Sequence, residues 1–133
     1  MVSQDIFSIQ NNKEFIKIAL KVFRFQYENN VVYRKFCDFL NVDITQIKTL
    51  EQIPFLPIQF FKSEKILSSE NPTEIIFTSS GTTGNQTSSH FVTDVSMYEQ
   101  SYLKGFSQFY GNIENYVVLA LLPSYLEREG SSL

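Results

Sequence analysis

The residues best suited to chemistry form one stretch rich in hydroxyls and glycines, residues 79–89, which we call the hydroxyl loop. Eight of the twelve residues from 78 to 89 carry a hydroxyl group, and two more are glycines. Glycine permits positive φ and a close approach of the backbone to a ligand, and successive backbone N–H groups can surround an anion. Hydroxyl groups add neutral hydrogen-bond donors. The stretch is therefore a candidate phosphate-binding loop.

Other motifs that bind phosphate or nucleic acid do not fit the hydroxyl loop. The Walker A pattern GxxxxGK[ST] and the dinucleotide pattern GxGxxG are both absent. The spacing Gly-Thr-Thr-Gly is that of the GXXG loop of KH modules, but no basic residue lies between Lys65 and Lys104. A plain Ser/Thr/Gly linker between two strands is the alternative that the residue types leave open.

Hydrophobic periodicity predicts the elements that precede the loop. Apolar residues at helical spacing predict an amphipathic helix over residues 12–28 and a second, short helix with its apolar side over residues 32–40. Pro54 and Pro57 exclude a regular helix over residues 53–61 and predict an extended segment. Because its apolar side chains are large, this segment is expected to lie against the core.

Short strands and one further helix are predicted around and after the loop. Residues 74–78 are expected to form a buried strand, residues 90–93 a second strand, and residues 116–122 a central strand covered on both faces. Asp94 or Ser96 can cap the helix that follows the second strand. Gly111 and Asn112 end that helix. One face of it carries a row of aromatic residues expected to pack, namely Tyr98, Tyr102, Phe106 and Phe109.

Length and composition indicate one globular domain. The chain has 133 residues, of which 43% are hydrophobic and 19% charged, which excludes a disordered chain. Acidic residues outnumber basic ones 14 to 11, which counts against a general nucleic-acid binder. Nine of the 11 basic residues lie before residue 66. We therefore divide the chain into a helical region (1–66) and a partial α/β nucleotide-binding region (67–133) within one structural unit.

The predicted fold class is α/β, with α+β as the alternative: a helical N-terminal region followed by part of a mixed β-sheet. Three strand candidates are few for such a sheet, so we expect the front portion of a larger protein or one partner of an assembly. Open sheet edges would let the chain form a homodimer. A single cysteine, no signal peptide and no long apolar run predict a cytoplasmic protein without a transmembrane segment.

The residues of the hydroxyl loop give a more specific indication. Thr-Ser-Ser-Gly-Thr-Thr-Gly at residues 78–84 resembles the phosphate-binding loop of the adenylate-forming enzymes, which include acyl-CoA synthetases and phenylacetate-CoA ligases. Residues 23–33, 53–63, 90–94 and 121–133 are similar to the acyl-protein synthetase branch of that superfamily. That branch includes the fatty-acid ligase component of bacterial bioluminescence and bacterial acyltransferase-like proteins. The resemblance covers most of residues 20–133.

The resemblance implies a truncated N-terminal domain of an adenylate-forming enzyme. Such an enzyme uses ATP, with Mg²⁺, to convert a fatty acid or other carboxylate into an acyl-adenylate and pyrophosphate. It then passes the acyl group to a protein thiol or another acceptor. The residues that would hold the phosphates are Ser79, Ser80, Gly81, Thr82, Thr83 and Gly84. Tyr125 would line the substrate pocket. His90 is a second candidate for that pocket because it lies close to the loop, and the alternative for it is a strand residue with a structural role.

The same resemblance sets limits on what this chain can do. Many relatives have a lysine-containing segment where this chain has Asn-Gln-Thr at residues 85–87, so the loop offers dipoles and hydroxyls without positive charge. The adenine-binding segment, the catalytic lysine and the acyl-accepting cysteine of the family are expected beyond residue 133. No catalytic residue is therefore assigned here, and the chain alone is not expected to complete adenylation.

The remaining reactive residue types are predicted to be structural. A single histidine, His90, makes neither a zinc site nor a catalytic triad, and no metal site is assigned. Cys37 lies on an apolar helical stretch and is predicted to be a packed core thiol. Glu127 and Glu129 are predicted to form an exposed charge cluster. The alternative function is a non-catalytic module that binds a nucleotide, a phosphate or a partner protein.

Overall fold

The computed structural model describes residues 6–79, 87–117 and 119. Within these residues, helices and strands both occur, so the predicted mixture of α and β structure is confirmed. The helices are α1 (Asn12–Asn29), α2 (Val31–Phe39), α3 (Phe60–Ser63) and α4 (Val95–Tyr110), and the strands are β1 (Ile75–Thr78) and β2 (Ser89–Val92). Short 3₁₀ turns lie at Ile44–Gln46, Leu50–Gln52 and Ile113–Asn115.

A buried asparagine, Asn30, forms the corner between α1 and α2. Its backbone N–H donates to the carbonyl of Gln26 at 2.8 Å and so ends α1. Its side-chain oxygen accepts from the backbone N–H of Tyr33 at 3.1 Å and so caps α2. An asparagine side chain satisfies an N–H group that a helix start would otherwise leave unpaired. The break predicted between the two helices is therefore confirmed, and one residue serves both of them.

The apolar core lies between α1, α2 and the segment that follows them. Its buried members are Phe23, Tyr33, Cys37 and Ile47. Phe23 is 3% exposed, and its ring meets that of Tyr33 edge to face at a centroid distance of 6.2 Å. The hydroxyl of Tyr33 donates to the carbonyl oxygen of Pro54 at 2.6 Å. This bond ties the proline-containing segment to α2.

The segment over residues 53–61 is only partly as predicted. Ile53 and Leu56 pack against the core, which confirms that the segment lies against it, whereas Phe55 and Ile58 are 78% and 71% exposed. Successive side chains of an extended backbone point to opposite sides, so the segment cannot bury them all. The last residues of the segment also belong to α3. A hydrogen bond of 3.1 Å from Phe60 N–H to the carbonyl oxygen of Pro57 marks the start of this helix.

The strands β1 and β2 form an antiparallel pair in which Ile75 lies opposite Val92 and Thr78 opposite Ser89. Both strands were predicted. The expectation that the first is buried is wrong for its first half, since Ile75 and Ile76 are 37% and 42% exposed. A two-stranded sheet leaves part of its surface uncovered unless another layer packs on it. The predicted homodimer through open sheet edges stays a prediction.

The helix α4 begins and ends where the sequence predicts, but its aromatic row differs at one position. Asp94, rather than Ser96, is its N-cap, and Gly111 at φ 82° ends it. Phe109 is 79% exposed, so its predicted packing is wrong. Tyr110, which is itself 61% exposed, makes the ring contact with Phe106 instead. The ring of Phe106 lies 5.0 Å from that of Tyr110.

The N-cap of α4 should make the stability of the protein depend on pH. Asp94 Oδ1 accepts from Ser96 Oγ at 2.6 Å and from Met97 N–H at 3.3 Å, and these bonds hold the pKa of Asp94 below its ordinary value of 3.8. A lowered folded pKa means that the stabilisation is complete above the unfolded pKa and is lost as the pH falls through the folded one. We expect Asp94→Asn to melt at a lower temperature than the wild type at pH 7.

The difference between the two melting temperatures should shrink as the pH falls through the folded pKa of Asp94, because the wild-type carboxyl then becomes neutral as well. Thermal melts followed by circular dichroism at several pH values measure it. A difference that stays constant from neutral to acid pH would contradict a contribution from the carboxylate.

Only part of the predicted central strand over residues 116–122 lies within the described residues. Tyr116, Val117 and Leu119 belong to no strand there. Val117 and Leu119 are 88% and 91% exposed, so at these positions the expected cover on both faces is absent. Tyr116 instead donates from its hydroxyl to the carbonyl of Tyr110 at 2.7 Å. The rest of the predicted strand lies outside the described residues.

Candidate functional site

The hydroxyl loop connects the two strands of the hairpin. It leaves β1 after Thr78 and enters β2 at Ser89, and these two residues are paired across the strands. The loop therefore starts and finishes at the same end of the sheet. A loop with neighbouring ends can enclose a small ligand without help from a distant element.

Two serines join the ends of the loop by hydrogen bonds that run in both directions. Ser79 N–H donates to the carbonyl oxygen of Ser88 at 3.1 Å. Ser88 N–H donates to Ser79 Oγ at 3.0 Å. Ser88 is 7% exposed and so lies under the surface at the base of the loop. The described ends of the loop are thus held against each other.

Of the six residues predicted to hold phosphates, Ser79 alone lies within the described residues. It stands directly after β1, at the point where the loop begins. The other predicted site residues that lie outside the described residues are Ser80, Gly81, Thr82, Thr83, Gly84 and Tyr125. Glu127 and Glu129 lie outside them as well. Their assignment stays a prediction.

His90 lies on β2, two residues after Ser88 and on the same side of the strand. Its Nε2 is 3.2 Å from Ser88 Oγ, a hydrogen-bond distance. Its ring stacks on that of Phe61 in α3, with a centroid distance of 4.8 Å and an interplanar angle of 24°. The structure therefore brings together three side chains, those of Ser88, His90 and Phe61, next to the loop.

A cavity of about 580 Å³ lies between the helices and the hairpin. Its lining mixes apolar and polar side chains. It includes Tyr33 from α2, Phe61 from α3, Ser68 from the segment between α3 and β1, and Phe91 from β2. Phe61 is also the residue on which His90 stacks. Phe61 is therefore a neighbour of both the cavity and His90.

A second cavity, of about 520 Å³, is lined almost entirely by apolar side chains. It runs along α1 beside Ile18, Val22 and Phe23 and is closed on the other side by Ile53 and Leu56. We call it the apolar groove. It adjoins the mixed cavity, since both are lined by Gln26, Tyr33 and Leu56.

Gln26 lies within the helix predicted over residues 12–28, but the sequence analysis gave it no role of its own. Its side-chain oxygen accepts from Ser68 Oγ at 2.5 Å and from Asn30 Nδ2 at 3.1 Å, so it joins α1 to the chain that leads into the hairpin. The sequence feature that could have pointed to Gln26 is its position on the apolar side of α1. A polar side chain there needs a buried partner, which marks it for attention.

Cys37, the single cysteine of the chain, is 0% exposed and free. The prediction of a packed core thiol is confirmed. Burial raises the pKa of this thiol, so the reactive thiolate is scarce at neutral pH.

We expect the thiol reagent DTNB to modify Cys37 in the native protein only as fast as the core opens, and rapidly in denaturant. Equal rates in both conditions would contradict this packing.

The described part of the chain contains neither a metal-binding cluster nor a membrane-spanning helix. No group of three or more His, Cys, Asp or Glu side chains there is placed to hold a metal ion. None of the helices in that part is both long and apolar enough to cross a membrane.

Comparison with known proteins identifies the class of protein to which this hairpin and helical core belong. The family model described as "Acyl-protein synthetase, LuxE" matches residues 3–103, most of the chain. The chain belongs to this family. The match includes α1, α2, the hairpin and the hydroxyl loop. The resemblance found in the sequence is thereby confirmed.

Two relatives carry the same name, "Long-chain-fatty-acid--luciferin-component ligase". The protein from Photorhabdus luminescens is 41% identical over 69 residues, which cover 51% of this chain and 59% of the relative. The protein from Vibrio harveyi is 35% identical over 79 residues, which cover 58% of this chain and 21% of the relative. The match thus spans less than two thirds of either relative. No solved structure gives a significant match.

Proposed function

We propose that this chain is the N-terminal part of an ATP-dependent acyl-activating enzyme. In the proposed reaction, a carboxylate oxygen of a fatty acid attacks the α-phosphorus of ATP, and pyrophosphate leaves. The acyl-adenylate then loses AMP as a protein thiol or another acceptor attacks the acyl carbonyl. The observation that carries the proposal is the family match over residues 3–103, which includes the hydroxyl loop.

ATP is proposed as the nucleotide because the donors of the hydroxyl loop suit phosphate oxygens. Phosphate oxygens only accept hydrogen bonds, and the loop supplies hydroxyls and the backbone N–H groups of its glycines. Residues 79–84 would make these contacts. The loop contains no basic residue. In the proposal, charge compensation of the phosphates therefore comes from Mg²⁺ and from groups outside the loop.

A fatty acid is proposed as the substrate because both relatives are named as ligases of long-chain fatty acids. The lining of the apolar groove along α1 suits the alkyl chain of a fatty acid. An alkyl chain gains free energy when it leaves water for an apolar lining. The same proposal puts the protein in the cytoplasm, where a free thiol such as Cys37 stays reduced.

The test begins with the native mass of the protein in its source cells, measured with an antibody against this chain. We expect a species heavier than the 15.4 kDa of the 133 residues. That species should catalyse pyrophosphate–ATP exchange that depends on added fatty acid. The 133-residue chain alone should bind MgATP, measured by calorimetry, and show no exchange.

A pair of variants tests whether the hydroxyl loop contributes to MgATP binding. Thr82→Val removes one loop hydroxyl and should weaken MgATP binding by about twofold to tenfold, the effect of one net hydrogen bond. Ser107→Ala removes an exposed hydroxyl on α4 and should leave binding unchanged. A native species of 15.4 kDa that binds no nucleotide would refute the proposal and favour a protein-interaction module. Exchange by the chain alone would refute its being only a part.

A further inference from the structure

The apolar groove beside α1 has the size of a site for a small molecule. Its volume is about 520 Å³, and small-molecule sites in proteins span roughly 300–1,000 Å³. The helix α1 lines it from Phe15 to Gln26, over which a helix rises roughly 16 Å at about 1.5 Å per residue. Phe23 and Tyr33, which also line it, are buried members of the core. The groove is therefore a long, narrow cleft that reaches down to the core.

The shape and the lining of the groove suit an alkyl chain better than a segment of protein. A volume of about 520 Å³ over this length leaves a cross-section of roughly 30 Å², whereas a helix with its side chains is about 10 Å across and needs roughly 80 Å². An extended peptide is thinner, but its backbone N–H and C=O groups need partners. Among the described residues that line the groove, only Gln26 and Tyr33 have polar side chains. An alkyl chain needs no such partners.

Two large apolar side chains of the groove are left in contact with water. Phe15 on α1 and Phe55 on the proline-containing segment are 47% and 78% exposed, and both line the groove. Removing apolar surface from water is favourable. A hydrocarbon chain that lies in the groove would cover part of both rings.

The two polar residues of the groove lie where it meets the mixed cavity. Gln26 and Tyr33 line both spaces. The hydroxyl of Tyr33 already donates its proton to the carbonyl of Pro54. Gln26 Oε1 accepts from Ser68 and Asn30, which leaves the amide N–H groups of Gln26 as the donors at this end. A carboxylate only accepts hydrogen bonds, so it belongs at Gln26 and not along the rest of the groove.

We propose that the apolar groove binds the alkyl chain of the fatty acid, with the carboxylate at Gln26 and the methyl end towards Phe15. The inference rests on the proposed function, which supplies the fatty acid. The orientation turns the reacting carboxylate towards the mixed cavity, between the helices and the hairpin. An extended chain advances roughly 1.2 Å per bond, since the three backbone bonds of an extended residue span about 3.6 Å. The groove therefore holds a chain of roughly a dozen carbons.

The first test blocks the groove part of the way along it. Ala19 lines the groove roughly 10 Å from Gln26 along the helix, so Ala19→Phe should exclude a long chain and admit a short one. We expect dodecanoate to bind the variant 133-residue chain about tenfold more weakly or worse, and octanoate to change by less than about twofold. Calorimetry below the micelle concentration gives both affinities, and circular dichroism shows whether the variant is folded. Ser107→Phe adds the same ring at an exposed position of α4 and should change neither affinity.

The second test changes the polarity at the carboxylate end. Gln26→Glu keeps an oxygen that accepts from Ser68 and Asn30 but replaces the donating amide by a negative charge. Dodecanoate should bind about tenfold more weakly or worse, the effect of losing a hydrogen bond to a charged group. Dodecanol has the same chain without the charge and should bind nearly as well as it binds the wild type. Equal losses for the two ligands would overturn the orientation.

The outcomes separate this inference from the proposed function. No binding of dodecanoate by the wild-type chain, or equal losses of dodecanoate and octanoate in Ala19→Phe, would overturn the inference, while MgATP binding and pyrophosphate exchange still test the function. Dodecanoate that binds the 133-residue chain but not the heavier native species would overturn it too, because another segment of that protein would then fill the groove. If the heavier species shows no exchange dependent on fatty acid, the proposed function fails, and the expected effects of both variants would support a groove that binds fatty acid without catalysis.

Discussion

Replacing Phe23 by alanine should lower the free energy of unfolding by about 3–5 kcal/mol, the usual effect of removing a large aromatic side chain from a core. Phe23 is 3% exposed and lies on α1 at the centre of the core, where its ring meets Tyr33 edge to face. Few other side chains of the described residues are equally buried. Partly buried side chains that pack against this core, such as Leu20, Ile53 and Leu56, would border the cavity that the ring leaves.

The expected loss is a large share of the roughly 5–15 kcal/mol that stabilises a typical domain. Urea unfolding followed by circular dichroism measures it. Phe109→Ala is the matched control, since that phenylalanine is on α4 and 79% exposed. It should change the free energy of unfolding by no more than about 0.5 kcal/mol, as most surface substitutions do. Equal losses in both variants would contradict a core centred on Phe23.

Replacing Asn30 by alanine should lower the free energy of unfolding by about 1–3 kcal/mol. The substitution removes the side-chain cap of α2, at Tyr33 N–H, and the hydrogen bond from Asn30 Nδ2 to Gln26 Oε1. Asn30 is 3% exposed, so water cannot fully replace either bond. The backbone bond that ends α1 does not depend on the side chain and should persist.

The neighbouring asparagine gives the control for this prediction. Asn29 is exposed, and its side chain donates to the carbonyl of Phe25 within its own helix. Asn29→Ala should therefore change the free energy of unfolding by less than about 0.5 kcal/mol. The two variants differ by one position in the chain, and urea unfolding compares them directly. An Asn29 variant as destabilised as the Asn30 variant would show that the corner has no special role.

The parts of the fold that were predictable depend on interactions between residues close in sequence. The helix α1, the turn at Asn30 and the end of α4 at Gly111 follow from helical spacing, capping side chains and the tolerance of glycine for positive φ. The hairpin strands follow from β-branched and aromatic runs on each side of the hydroxyl loop. These signals act over a few residues, so the sequence displays them directly.

The predictions that were wrong concern which side chains are covered, and this depends on contacts with other elements of the fold. Ile76 carries the same β-branched signal whether its strand is covered or open, and the number of layers over it decides its exposure. Tyr110 and Phe109 are both aromatic, and only the contact with Phe106 shows which of them packs. Gln26 shows its role only through Ser68, which lies 42 residues further along the chain.

The candidate site divides in the same way. The hydroxyl loop was visible in the sequence because residue type and order carry its chemistry. The contacts beside it were not visible, because His90 stacks on Phe61 of α3, a helix of only four residues that begins inside the segment predicted to be extended. Residues that bind are often recognisable from local patterns, whereas residues that hold them in place are found by their contacts.

The placement of the core has a consequence for the order in which the protein forms. Every side chain of the apolar core comes from residues 20–56, before either strand of the hairpin. A ribosome releases the N-terminal residues first, so all of these side chains emerge ahead of the hydroxyl loop. The helices can therefore close around Phe23 while the hairpin is still being synthesised. The loop is then added to a surface that already exists, with Phe61 in place to receive His90.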